Sequence, residues 1–345
     1  MAPVNLHSDT QTRPSAGMRA AIAAADVGDE QRGADPTTRE LERRVADLLG
    51  HEDAVFLPSG TMCNEIALRL HVRPGGDEVI LDRTAHPVVA EAGGPAALAG
   101  AMLKQLDGDG GIFTAEQVEQ ALHAPGDRYA PRSRLVSVEQ TTNMGGGRVW
   151  PLETIREVLA VARENGLRAH LDGARLMNAV VRSGVSARDY ASAFDTAWID
   201  FSKGLGAPAG AVLAGSRELI GEAWRFKQMM GGALRQSGIL AAGCIYALDH
   251  NVERLAEDHE HARLLAQALA RIPGVAIDPE TVDTNIVIFA VDDAARVVER
   301  LAERVDVLAL DARRVRAVTH LDVSRSEIED AIDAFNEALV RISSS

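Results

Sequence analysis

The sequence predicts an α/β fold, with a mostly parallel sheet in a large domain and a smaller α/β domain at the C-terminal end. Three observations lead there. Short apolar runs alternate with amphipathic helical stretches through roughly the first two-thirds of the chain. From about Ser237 to Arg271 the pattern turns almost wholly helical. After "IPG" (272–274), short strands return, mixed with helices. At 345 residues the chain exceeds one compact domain. The expected division is an N-terminal segment 1–15, a large domain 16–249 and a small domain 250–345, with a long helix joining the lobes.

Each element has a local reason. "ELERRVADLLG" sets Leu41, Val45, Leu48 and Leu49 on one helical face and stops at Gly50. "AVFLPSG" reads as a buried strand, "TMCNEIALRLHV" as a helix and "DEVILD" as a strand. Thr114 to Gln117 is a capping-box pattern opening a helix through Leu122. "RLVSVEQ" is a strand, and "PLETIREVLAVARENG" is a helix with proline at its start and glycine at its end. "LRAHLDGAR" is a strand running into a loop. Beyond "IPG", "VAID" and "TNIVIFAV" read as strands, followed by helix, strand, strand and a last helix. That helix opens with Ser324 and Glu327 and carries Ile328, Ile332, Phe335 and Leu339 at helical spacing.

Composition excludes several classes of function. There are 36 basic against 50 acidic residues, a net charge of −14, which disfavours nucleic acid or an anionic membrane as partner. With 46% apolar residues the chain can bury a sizeable core. Cys63 and Cys244 form neither a disulfide framework nor a metal spacing, so a reduced cytoplasm is expected. The opening "MAPVNLHSDTQTRP" has no signal-peptide core, and "ILAAGCIYAL" is too short to span a bilayer.

In an open parallel sheet, ligands gather at the carboxyl ends of the strands. Four junctions there carry polar groups: Ser59-Gly60-Thr61, Glu139, Asp172 and Ser202-Lys203. Singly each has an ordinary reading, as helix cap, turn former or solvated lysine. Together they supply an anion seat, a carboxylate and an amine, with glycines around Lys203 allowing close approach. Pyridoxal phosphate needs such a set: a lysine to bond it, a carboxylate for its pyridinium nitrogen and a phosphate cradle. His86, in "RTAHPVVAE", either stacks on the ring or is a plain helix-start histidine.

"SDTQTRP", "VGDEQRGADP", "FLPSGTMCN", "HLDGARLMNAV", "FSKGLGAPAGAVLAGS", "GGALRQSGILAAG" and "VTHLD" resemble, in order and spacing, the low-specificity L-threonine aldolases. The resemblance runs from residue 5 to about 340 and implies the aspartate-aminotransferase fold, fold type I of the pyridoxal-phosphate enzymes. It implies cleavage of L-threonine, L-allo-threonine and similar β-hydroxy-α-amino acids to glycine and an aldehyde. By motif, Lys203 would bond the cofactor, Asp172 would pair with the pyridinium, Gly60 and Thr61 would hold the phosphate, and His86 would stack on the ring. Ser8, Arg175 and Arg316 would grip the substrate carboxylate or a cofactor oxygen. Arg235 would reach the phosphate from a neighbouring subunit of a dimer or dimer of dimers, unless it caps its own helix.

Departures from the family pattern fall among motifs expected on the substrate side. The family's "VYGEDP" has Arg32 for tyrosine and Ala34 for glutamate. Its "ENTHN" has Gln140 and Thr142, His7 stands where arginine is common, and Arg128 or Tyr129 falls where a second histidine is expected. Arg32 would favour a polar or acidic side chain or salt-bridge its own loop. His86 is the first candidate to take the β-hydroxyl proton and Glu139 the second. Three alternatives remain open: a related pyridoxal-phosphate lyase or retro-aldolase for another polar or acidic β-hydroxy amino acid, a silent cofactor-binding relative, and a phosphate-loop binding protein. Lys203 preceding its glycines argues against the last.

Overall fold

The computed structural model describes residues 2–124 and 126–340. The chain begins with strand β1 (Val4–Asn5), helix α1 (Ala16–Ala23) and helix α2 (Pro36–Leu49). It continues through β2 (Asp53–Leu57), α3 (Gly60–His71), β3 (Asp77–Asp82), α4 (His86–Val89), β4 (Met102–Leu106) and α5 (Ala115–Ala121). Next come β5 (Arg132–Glu139), α6 (Leu152–Glu164), β6 (Arg168–Asp172), α7 (Leu176–Ser183) and α8 (Ala187–Ala191). Strands β7 (Thr196–Asp200) and β8 (Ala211–Gly215) precede helices α9 (Arg217–Met229), α10 (Gly238–His250) and α11 (Leu255–Leu269). The last elements are β9 (Ile286–Ala290), α12 (Ala294–Leu301), β10 (Val305–Asp306), β11 (Leu308–Ala309), β12 (Arg314–Val318) and α13 (Arg325–Val340).

Caps set the helix ends. Asp35 accepts from the Thr38 N–H at the start of α2, Pro36 takes the first turn, and Gly50 closes it with φ 77°. The expected capping box opens α5, with Thr114 and Gln117 bonded reciprocally. Ser324 and Glu327 exchange bonds at the start of α13, which buries Ile328, Phe335 and Leu339.

Strand order in the main sheet is β2-β8-β7-β6-β5-β3-β4, and only β8 runs antiparallel to its neighbours. Alternation sends side chains to opposite faces. Val55, Leu57, Trp198 and Leu213 join one core with Ile66 of α3 and Ile220 of α9. Phe56, Ile199, Val212 and Ala214 join another with Leu41 of α2 and Ala241 of α10. A further core gathers α11, α12, α13 and the antiparallel sheet β11-β12-β9. Leu6 packs in that core and β1 pairs in parallel with β10, so the start of the chain is built into its C-terminal part.

Three expectations are corrected. Residues 275–278 make a single bridge, Ala276 to Ala290, because Asp278 caps a turn that Pro279 begins. The long joining helix is two helices, α10 and α11, and Asn251 at the break donates to the Leu205 carbonyl at 2.8 Å. The strand after α12 divides at Val307: β10 pairs with β1, and β11 with β12.

Candidate active site

Glu139, Asp172 and Asp200 are the final residues of β5, β6 and β7. They open into a cavity of about 310 Å³ that is also lined by Ser8, Ser59, Gly60, Thr61, His86, Arg175, Trp198, Lys203 and Arg316. A larger groove of about 610 Å³, lined by Arg44, Met177 and Leu248, has no lysine and no strand-end carboxylate. Chemistry therefore favours the smaller site.

Lys203 sits in the loop between β7 and β8, and its ammonium pairs with Asp200 below the Trp198 ring. Thr12 bonds the Lys203 carbonyl at 2.8 Å, tying the N-terminal segment to this loop. Asp172 is 1% exposed, and its oxygens accept from Asn64 Nδ2 at 2.8 Å and the Ala174 N–H at 3.0 Å. Burial raises the Asp172 carboxyl, and Asn64, His86, Ala174 and Lys203 hold part of that rise back.

His86 opens α4 with Nδ1 2.7 Å from Glu91 Oε1, and that carboxylate raises the imidazole above its ordinary range. Glu139 accepts the backbone N–H groups of His86 at 2.9 Å and Asn143 at 2.7 Å. Burial, then the Asp172 charge, push Glu139 up to about 7. Glu65 lies beside Glu91, and burial with that contact pushes it up to about 8.

Two arginines complete the floor. Arg175 is bidentate to Asp9, with Nε and Nη2 both at 2.7 Å. Burial works to raise Asp9, but Arg175 overrides it and holds the carboxyl well below the usual range. Arg316 donates to Asn143 at 2.8 Å and the His7 carbonyl at 3.3 Å, while its buried Nε has no partner among the described residues. Burial and neighbouring Arg175 push Arg316 down to about 10. Ser8 Oγ accepts twice from Thr10, leaving its own hydroxyl proton free to donate.

Residues 5–294 match the beta-eliminating lyase family. The chain belongs to that family. Relatives include the low specificity L-threonine aldolase of Escherichia coli K12, 40% identical over 341 residues, covering 98% of this chain and 100% of the relative. The low-specificity L-threonine aldolase 1 of Arabidopsis thaliana is 35% identical over 348 residues, covering 99% and 97%. Among solved structures, the Leishmania major threonine aldolase superposes with TM-score 0.84 at 20% identity, over 98% of this chain and 100% of that one. A putative L-allo-threonine aldolase from Listeria monocytogenes gives 0.80 at 23%, over 98% and 97%. The fold is therefore fold type I of the pyridoxal-phosphate enzymes.

In this member of the family, Ser8, Gly60, Thr61, His86, Asp172, Arg175, Lys203 and Arg316 converge on one cavity. Arg32 and Arg235 do not line it. Arg32 is exposed, and Arg235 is exposed with Nη1 3.6 Å from Asp29. Gln140 turns inward to bond both the N–H and carbonyl of Trp150, and Thr142 accepts from the Arg148 N–H. His7 pairs with Asp306, and Tyr129 is fully exposed on its loop. Sequence reading missed Asp9, Asn64, Glu91 and Asp200. For Asp200 a signal existed: Thr196, Trp198 and Asp200 alternate along β7, so polar atoms share one face with the lysine loop.

Proposed function

We propose that this protein is a pyridoxal-phosphate-dependent aldolase cleaving L-threonine, L-allo-threonine and related β-hydroxy-α-amino acids to glycine and an aldehyde. One observation carries the reading: an amine, a buried carboxylate, an imidazole and an underpaired arginine face a single cavity at the sheet's carboxyl edge. Relatives named low-specificity L-threonine aldolase along nearly the whole chain support it. The residues also fit the cofactor. A side chain at Gly60 would strike Trp198, so the start of α3 offers bare backbone to a phosphate.

Lys203 would hold the cofactor covalently, Asp172 would face its ring nitrogen, His86 would lie on its ring, and Gly60 and Thr61 would seat its phosphate. When bound, pyridoxal phosphate supplies an electron sink for charge left on the substrate α-carbon. As an anion, Asp172 would favour a protonated ring nitrogen. Arg316 and Ser8 take the substrate carboxylate, with Arg175 held rigid beside them by Asp9. His86 Nδ1 is engaged by Glu91, which leaves Nε2 to accept the β-hydroxyl proton. Glu139 already spends both oxygens on backbone N–H groups, so it positions α4 rather than acting as base.

Arg235 and Arg32 would serve the site of a partner subunit, Arg235 at the phosphate and Arg32 near the substrate side chain. That makes a dimer or dimer of dimers the working form. The reduced, buried Cys63 and Cys244 support a cytoplasmic setting in threonine breakdown and glycine formation. Among the described residues no helix is long and apolar enough to cross a membrane.

Lys203→Ala is the direct test. It should lower threonine cleavage by at least about 1,000-fold while near- and far-ultraviolet circular dichroism stay unchanged. Borohydride should fix the cofactor to the wild-type peptide containing Lys203 and to no peptide of the variant. Wild-type rates in Lys203→Ala would remove the proposal, and a panel of β-hydroxy amino acids would rank the substrates.

A further inference from the structure

We propose that Asn64 is a positioning residue for the reaction, holding Asp172 and the partner of His86 in one frame while a one-way hydrogen-bond chain from His71 fixes its orientation. The role in turnover rests on the proposed function; the chain's geometry does not.

Asn64 lies on α3 and is 1% exposed. Its Nδ2 is 2.8 Å from Asp172 Oδ2 and 2.8 Å from Glu91 Oε1. Ionised carboxylates only accept, so both amide protons are committed. Its Oδ1 is 2.9 Å from Trp198 Nε1, a group that only donates. Flipping the amide would set carbonyl oxygen against two carboxylates and N–H against N–H, so the orientation is forced.

The forcing propagates outward. His170 Nε2 is 3.2 Å from Asn64 Oδ1 and must donate to it. Burial pushes His170 down to about 3, so the ring is neutral and Nδ1 is an acceptor. Thr196 Oγ1, 2.8 Å from that Nδ1, must therefore be the donor. The same hydroxyl oxygen then accepts from His71 Nε2 at 2.9 Å. Burial holds His71 neutral as well, down to about 4. From His71 to Asp172 every proton points the same way.

The chemical consequence lies in the charge state at its end. A buried carboxylate that must stay anionic beside a ring nitrogen needs donors, yet a cationic donor would neutralise the charge that nitrogen requires. A neutral amide, polarised by the donors behind it, meets both needs. Through Glu91 the same amide restrains the ring of His86. Asn64 thus couples the support of the ring nitrogen to that of the base.

Two measurements decide the matter. In the full chain labelled with [15N]histidine and without added cofactor, two-bond nitrogen–proton correlations should show His170 as the neutral Nε2–H tautomer, assigned by its loss in His170→Gln. An Nδ1–H or doubly protonated His170 would overturn the chain without touching the proposed reaction. In the loaded enzyme, Asn64→Ala should lower kcat about 30-fold with KM within about 3-fold, and shift the visible band of the cofactor. On an Asp172→Asn, Glu91→Gln background the same substitution should cost less than about 3-fold, because both carboxylates it holds are gone. Equal losses on both backgrounds would reduce Asn64 to core packing and overturn the proposal. Should Asn64→Ala fail to fold, Thr196→Val should lower kcat about 5-fold and Thr196→Ser restore it. Wild-type kcat in Thr196→Val would overturn it equally.

Discussion

At the residue scale, the behaviour of His86 is set by a carboxylate buried behind it. Glu91 is 5% exposed and contacts Nδ1, favouring the imidazolium, while the Asp172 and Glu139 charges add to the effect. The folded pKa is therefore raised above the ordinary imidazole value of 6.5. A base must be unprotonated, so kcat should rise with pH through a midpoint above 6.5. The stability from this pair has a matching sign: it is fully present below 6.5 and lost as pH rises through the folded pKa. Glu91→Gln removes the anion and leaves burial in place. Its kcat profile should move to lower pH, and its plateau should fall because the imidazolium formed in the reaction loses support. A pH–rate profile superimposable on wild type would detach His86 from Glu91 as the source of the midpoint.

At the element scale, the start of α3 shows how a helix terminus becomes a site. Ser59 caps it by accepting from the Met62 N–H, and Gly60 brings backbone against the six-membered ring of Trp198. Gly60→Ala should push Trp198 away from Asn64, costing about 1–3 kcal/mol of overpacking and weakening cofactor affinity about 10-fold or more. Calorimetry without cofactor and a cofactor titration would separate the two effects; unchanged affinity would mean the cradle lies elsewhere. Such helix ends were legible beforehand because caps are local: Thr114 with Gln117, Ser324 with Glu327, and Gly50 at the end of α2 all signal within a few residues. Strands β2, β3, β5, β6 and β9 were equally plain from apolar runs. Partner choice was not. Val307 divides one apolar run between two sheets, and nothing within the run says where its neighbours come from. Asn64 was illegible for the same reason: a polar residue inside a helix gains meaning only when strand order sets Asp172 and His170 against it.

At the scale of the whole molecule, two loops far apart in sequence form one hydrogen-bonded unit. The Glu30 N–H donates to the Arg235 carbonyl at 2.8 Å, Glu30 Oε1 accepts from the Leu234 N–H at 3.2 Å, and Gln31 Nε2 reaches the Leu234 carbonyl at 3.1 Å. Buried Lys227 anchors the unit through Glu30. On it stand Arg32, exposed, and Arg235, whose side chain is 65% exposed against Asp29. An exposed pair of this kind is worth little, so Arg235 is cheaply redirected to a phosphate. Met229 and Ile239, exposed at 69% and 45%, flank the loop and suit a subunit contact. If the unit completes a partner's cavity, Arg235→Ala should lose cofactor more readily and Lys203→Ala should be inactive, each alone. After subunit exchange in an equal mixture, about half the dimers pair one of each, and one of their two cavities holds both native residues. Threonine cleavage should then recover to about a quarter of the wild-type rate. An inactive mixture in which exchange has been verified by mass, or a fully active monomer, would return both arginines to the surface of their own subunit.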